Sequence, residues 1–212
     1  MRLLACLLPF APGLWGSPAP VPSVPASSNQ GVVVEQVDFS YYEVEGESPE
    51  ALAAALSEHG PDFNGSRFFG MTRWSLSADY GWQRRGVGCG LENVRVEIDV
   101  ETQLPYWRRS WTQDAGLRTD WYTFLGALDE HERGHRDLAR EAADTVRRRL
   151  VALEAPTCAE VRERARRTAV EVMRTYDARH RAYDASTGHG HTQGAVWPRE
   201  ARHDTPLLAS AR

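Results

Sequence analysis

Residues 119–154 read TDWYTFLGALDEHERGHRDLAREAADTVRRRLVALE. Large apolar residues recur in this stretch at steps of three and four, the period of an α-helix with one buried face. The row consists of Trp121, Leu125, Leu128, His131, His135, Leu138, Ala142, Val146 and Leu150. Both histidines belong to that row and are predicted to face the protein interior, with Glu132 at the border of the buried face. The rest of the chain is interpreted as what packs around this helix.

The string His131-Glu132-Arg133-Gly134-His135 carries the clearest chemical signal. Histidines four residues apart lie one helical turn above each other, so both imidazoles can bind one zinc ion. Glu132 can then act as general base toward a metal-bound water. The alternative is a pair of histidines at the core edge, bonded to backbone or carboxylates. Two histidines in an apolar row are costly without polar partners, and Zn²⁺ would supply that partner.

Zinc in a catalytic site needs a third protein ligand. The extended motif H-E-x-x-H-x-x-G-x-x-H is absent, because Leu138 and Glu141 stand where it has Gly and His. Spacing alone leaves the ligand open. The candidates are His180 on the apolar face of the next helix, His189 between two glycines, the nearby His191, and Glu171.

The remaining pattern predicts three strands and two further helices. Val32 to Val44 is rich in β-branched and aromatic residues, and period-two alternation marks Trp74 to Tyr80 and Val94 to Val100 as strands with one buried face. Ser48-Pro49-Glu50 begins a short helix, and Thr157-x-x-Glu160 caps a long one after Pro156. We therefore predict an α+β, zincin-like fold. A small antiparallel sheet of about three to four strands would pack with a short helix and a long antiparallel helix pair.

The predicted domain organisation begins with a leader. Residues 1–26 have the short apolar core and small terminal residues of a signal peptide, residues 27–30 form a linker, 31–197 a single domain, and 198–212 a loosely ordered tail. We expect an exported protein, periplasmic or extracellular, with no stable membrane insertion after signal removal. The net charge of −4 argues against nucleic acid as the partner.

Two cysteines remain once Cys6 of the predicted leader is set aside. Cys89 and Cys158 form an even pair, which in an exported protein predicts a disulfide. Zinc ligation is the competing interpretation. It ranks lower because neither cysteine lies in a C-x-x-C pair.

Several stretches, in the same order, resemble a bacterial family. They are Tyr42-x-Val44-x-Gly46, Gly60-Pro61, Thr72-x-Trp74, Cys89, Leu104-Pro105-x-Trp107, His131-Glu132-x-x-His135, Cys158 and Tyr183-Asp184-x-x-Thr187-x-His189-Gly190. The family is domain of unknown function 922, described as predicted secreted zinc-dependent proteases. The resemblance covers about Val32 to Trp197. It implies His189 as the third ligand in preference to His180, and it supports the Cys89–Cys158 pair.

The resulting hypothesis is a secreted zinc metallopeptidase acting on a peptide or protein substrate. Zn²⁺ would be held by His131, His135 and His189, with Glu132 as general base. Tyr183 would stabilise the oxyanion, and Asp184 would orient a ligand histidine. The alternatives are an exported, non-catalytic binding domain stabilised by zinc, and an amidase acting on cell-wall peptides. No pattern in the sequence indicates an oligomeric state.

Overall fold

The computed structural model describes residues 30–198, and within them the chain adopts the predicted α+β fold. The predicted signal peptide, residues 27–29 of the linker and residues 199–212 of the tail lie outside the described residues. Within the described range, no helix combines the length and the apolar character needed to cross a bilayer.

The strands build one mixed sheet and one small hairpin. In chain order they are β1 (Val32–Val44), β2 (Asp62–Phe63), β3 (Ser66–Arg67), β4 (Met71–Arg85), β5 (Gly88–Trp107) and β6 (Glu154–Ala155). The sheet has the order β1-β5-β4, with β6 paired to the start of β5, while β2 and β3 pair with each other.

The direction of β1 departs from the prediction. β4 and β5 are antiparallel, as predicted, but β1 runs parallel to β5, so the expectation of a purely antiparallel sheet is wrong. Alternation indicates which face of a strand is buried and carries no information about direction. The end of β1 lies beside the end of β5, where β4 also begins. β5 is thereby inserted between two strands that run in opposite directions.

Within residues 30–198, three α-helices accompany the sheet: α1 (Pro49–His59), α2 (Ala115–Val151) and α3 (Cys158–Thr187). The predicted caps are present, since Ser48 accepts from the amide of Ala51 and Thr157 from that of Glu160. α2 begins four residues before the predicted start at 119, because the Asp114 carboxylate accepts from two amides of the first turn.

Two apolar clusters flank the histidine motif. One combines β5, the C-terminal half of α2 and α3. The other combines α1, the end of β1, the first turns of α2 and Trp197. Leu128 belongs to the second cluster and Ala139 to the first, so the motif between them lies at the junction of the two cores.

The predicted disulfide is confirmed. Cys89 at the start of β5 is bonded to Cys158, the first residue of α3, across 69 positions of sequence. The bond attaches the start of α3 to the sheet, while Asp184, 26 residues further on, lies about 39 Å away along the helix.

Candidate metal centre

Three side chains from α2 and α3 converge on one point. Asp184 Oδ1 lies 2.9 Å from His135 Nε2 and 3.3 Å from His131 Nε2. The three donor atoms all lie within 4.8 Å of one another. Both histidines are buried, at 3% and 8% exposure, whereas the Asp184 side chain is 26% exposed. Two imidazoles and a carboxylate are a donor set that suits Zn²⁺.

The protonation of His131 tests whether a cation fits. Gln193 presents its Oε1 to His131 Nδ1 at 3.0 Å, and its Nε2 donates to the Tyr183 hydroxyl. An amide oxygen only accepts, so the Nδ1 of His131 carries the proton, and in the neutral ring Nε2 has the lone pair. That lone pair faces the Asp184 carboxylate. Two acceptors in contact repel unless a proton or a metal ion lies between them, so the residues present fit a bound cation.

His135 is oriented by a third histidine. His180 Nδ1 lies 2.9 Å from His135 Nδ1, and the two rings stack. His180 also stacks on Trp74, and its Nε2 is buried without a hydrogen-bond partner among the described residues. Burial and then the nearby His135 lower the pKa of His180 to about 4. The neutral ring of His180 thus contacts the nitrogen of His135 that faces away from Asp184.

The electrostatics couple Asp184 to the two motif histidines. Burial acts to raise the pKa of Asp184, but hydrogen bonds from His131 and His135 outweigh it and hold that pKa well below its usual range. Burial acts to lower the pKa of His131, and the hydrogen bond of Asp184 and the charge of Glu132 raise it above the ordinary value. The site therefore stabilises a negative Asp184 beside positive charge.

Glu132 is more deeply buried than its border position predicts. It is 3% exposed, and the Thr72 hydroxyl donates to its Oε2 at 2.7 Å. A Cβ added at Gly70 would lie 2.9 Å from Oε1, so the chain before β4 passes close over the carboxylate. Burial raises the pKa of Glu132 above that of a free glutamate, against the lowering effects of Thr72 and the two imidazoles.

The other candidate ligands lie further from the motif. His189 Nδ1 is 3.6 Å from Asp184 Oδ1, with a side chain 58% exposed, a positive φ of 53° and its ring against Phe68. His191 is exposed in the following 3₁₀ turn. Glu171 is exposed and paired with Arg149. The structure thus brings Asp184, rather than His189, into the group with the motif histidines, and His189 as third ligand stays a prediction.

Tyr183 packs against both motif histidines. Its ring stacks on His131 with centroids 5.0 Å apart and meets His135 edge-on. The hydroxyl donates to the His131 carbonyl at 3.3 Å and accepts from Gln193. A Cβ at Gly134 would come within 2.3 Å of that hydroxyl, so the glycine of the motif makes room for Tyr183. The predicted oxyanion role of Tyr183 remains a prediction.

Sequence reasoning missed two contributors, Thr72 and Gln193, and expected Asp184 to orient a ligand histidine rather than to join the donor atoms. Asp184 follows His180 by four residues on α3, so their shared helix face was a signal available in the sequence. Thr72 at the start of β4 and Gln193 in a short turn had no such signal. Their contacts with Glu132 and His131 join residues 60 and 62 positions apart.

Comparison with known proteins identifies one family. A family model described as "Bacterial protein of unknown function (DUF922)" matches residues 39–190. No curated protein and no solved structure matches the chain.

Proposed function

Since the chain belongs to this family of bacterial proteins of unknown function, we propose from the site itself that it is a zinc-dependent hydrolase of peptide bonds. The observation that supports this most is the meeting of two imidazole nitrogens and a carboxylate oxygen beside a buried glutamate. His131, His135 and Asp184 would hold the ion, with His189 at the rim beside Asp184.

Bound zinc would polarise the scissile carbonyl and lower the pKa of water toward neutrality. Glu132 takes a proton from the attacking water as the oxygen–carbon bond forms. It returns that proton to the amine nitrogen as the carbon–nitrogen bond breaks. The buried setting that raises the pKa of Glu132 favours such two-way transfer near neutral pH.

The sheet offers a place for an extended substrate. In the described part of the chain, β4 is hydrogen-bonded to β5 on one side and to no strand on the other. Its first residues lie next to Glu132, since Thr72 bonds the carboxylate. A peptide pairing with this edge would pass the general base, which favours peptides over compact small molecules.

Export is part of the proposal. The predicted signal peptide at residues 1–26 and the Cys89–Cys158 disulfide both favour a periplasmic or extracellular location, because disulfides persist in oxidising compartments.

Replacing the general base tests the activity directly. Glu132→Gln should retain zinc, measured by mass spectrometry, and lose at least about 100-fold in turnover of labelled casein. Glu130→Gln is the matched control, because Glu130 is an exposed glutamate on the same helix. Hydrolysis that persists in Glu132→Gln would refute this mechanism.

A further inference from the structure

Two threonine hydroxyls connect Glu132 to the buried Arg136. Thr72 of β4 and Thr102 of β5 are directly opposite each other in the sheet, and their Oγ1 atoms lie 3.1 Å apart. Thr72 Oγ1 is 2.7 Å from Glu132 Oε2, and Arg136 Nη1 is 3.4 Å from Thr102 Oγ1. The four side chains therefore form one continuous hydrogen-bonded row between α2 and the sheet.

The donors and acceptors give this row a direction. A guanidinium only donates, so Thr102 Oγ1 accepts from Arg136. The single hydroxyl proton of Thr102 is then available for Thr72. That of Thr72 is available for Glu132, whose ionised carboxylate only accepts. Consecutive hydrogen bonds of this kind polarise and strengthen one another in a buried setting.

Packing does not account for a hydroxyl at position 102. Thr102 is fully buried in an inward-facing row of β5 that is otherwise apolar. Its neighbours in that row are Val94, Val96, Ile98, Val100 and Leu104. Valine has nearly the same shape as threonine, and a buried hydroxyl is costly unless it is hydrogen-bonded. The polar group at position 102 is thus explained by its bonds to Thr72 and Arg136.

Arg136 is held in place from its other side. It is 6% exposed, and its Nη2 donates to Asp129 Oδ1 at 3.0 Å, while the guanidinium lies over the Phe39 ring. These contacts leave Nη1 directed at Thr102. Because Arg136 lies one turn after Glu132 on α2, the row begins and ends on the same helix and passes through the sheet between them.

We infer that Thr72, Thr102 and Arg136 are positioning residues. They hold Glu132 by Oε2 and leave Oε1 directed toward Gly70, which directly precedes β4 and its proposed substrate-binding edge. This inference rests on the proposed role of Glu132 as general base. A base must stay within hydrogen-bond reach of its proton, and a displacement of about 1 Å can cost about 100-fold in rate. No hydrogen bond joins either threonine to His131, His135 or Asp184 in the described range, so the row acts on the base rather than on the metal ligands.

Kinetics test the positioning role. Thr102→Val should lower kcat on labelled casein about 10-fold or more. KM and zinc content should stay unchanged, and Thr102→Ser should restore the rate. Thr145→Val is the matched control, because it removes a half-buried hydroxyl of α2 that bonds Tyr176 away from the site. A rate of Thr102→Val equal to that of wild type, or a loss that serine does not rescue, would overturn the inference.

A thermodynamic cycle tests the row without any activity. The shift in Tm caused by Thr102→Val should differ between the wild type and Glu132→Met, although no hydrogen bond joins Thr102 directly to Glu132 in the described range. The difference should vanish when Thr72→Val is also present, because the connection is then cut. If Glu132→Met does not fold, Glu132→Gln replaces it, because glutamine lacks the negative charge that accepts the hydrogen bond of Thr72.

The two readouts separate the inference from the proposed function. Additive shifts in Tm for the substitutions at Thr102 and Glu132 would refute the hydrogen-bonded row, whether or not the protein cleaves casein. Coupled shifts in Tm among the variants, together with a wild type that holds zinc but cleaves no casein, would support the hydrogen-bonded row and refute the peptidase.

Discussion

Asp184 is the residue on which the site depends most. Its Oδ1 lies within 3.6 Å of a nitrogen from each of three histidines, His131, His135 and His189. Gln193 and His180 hold the outer nitrogens of the first two, which leaves their Nε2 atoms facing the carboxylate. A carboxylate surrounded in this way either bonds imidazolium protons or shares a metal ion with the rings, and the proposed function uses the second arrangement.

Zinc binding by single variants tests the ligand set. Asp184→Asn should weaken zinc binding by about 100-fold or more, because a charged donor at the centre of the group is lost. His189→Ala should retain most of the affinity, since its ring is largely exposed. Competition with a fluorescent chelator measures both.

His191→Ala is the control, because that histidine is exposed beyond the cluster. Loss of zinc in His189→Ala with retention in Asp184→Asn would contradict the ligand set and restore the histidine predicted by resemblance.

Among the elements, α2 supplies most residues of the site. Two of its glycines, Gly126 and Gly134, have very different surroundings. Gly134 lies between the motif histidines, where a Cβ would meet the Tyr183 ring and hydroxyl. Gly126 lies two turns earlier, and a Cβ there would have nothing within 4 Å. Helix propensity favours alanine at both positions by up to about 1 kcal/mol. A difference between the effects of the two alanine substitutions on the free energy of unfolding therefore measures the contact of Gly134 with α3.

Alanine substitution at the two glycines should have opposite effects. Gly126→Ala should stabilise the protein by about 0.5–1 kcal/mol. Gly134→Ala should destabilise it by about 1–3 kcal/mol, because Tyr183 must move away from His131. Urea denaturation measures both free energies of unfolding. A stabilising effect of Gly134→Ala would show that Tyr183 does not pack against the motif.

At the scale of the whole molecule, two covalent or coordinate links would join α3 to the rest of the fold. The disulfide ties its first residue to β5. Closing a loop of this length stabilises by roughly 4 kcal/mol in the chain-entropy model. A metal ion between Asp184 and the histidines of α2 would tie the other end.

Metal removal should therefore lower the Tm of the wild type. An ion that binds only the folded chain adds about 4 kcal/mol when present at 1,000 times its Kd. A thermal melt with and without chelator measures this, with the disulfide left oxidised. Asp184→Asn is the control, and its Tm should respond less to chelator, because a site about 100-fold weaker contributes only about 1.4 kcal/mol at the same zinc concentration. An unchanged Tm in the chelated wild type would contradict a metal link between the helices.

Much of the architecture was predictable because it is encoded locally. Helical periodicity identified α2, and Ser48 and Thr157 marked the starts of α1 and α3. The cysteine count predicted the disulfide. Each of these signals involves neighbouring residues or an even number of cysteines, so no knowledge of packing was needed.

The order of residues along α2 is enough to place two histidines and a glutamate on one turn of a buried helix, because the helix has a 3.6-residue period. The parallel direction of β1, the approach of Asp184 to both histidines and the bond of Thr72 to Glu132 became visible in the folded protein alone. Periodicity specifies which face of each element is buried. The strand or helix that covers this face, and the side chains that meet there, depend on how distant segments pack together.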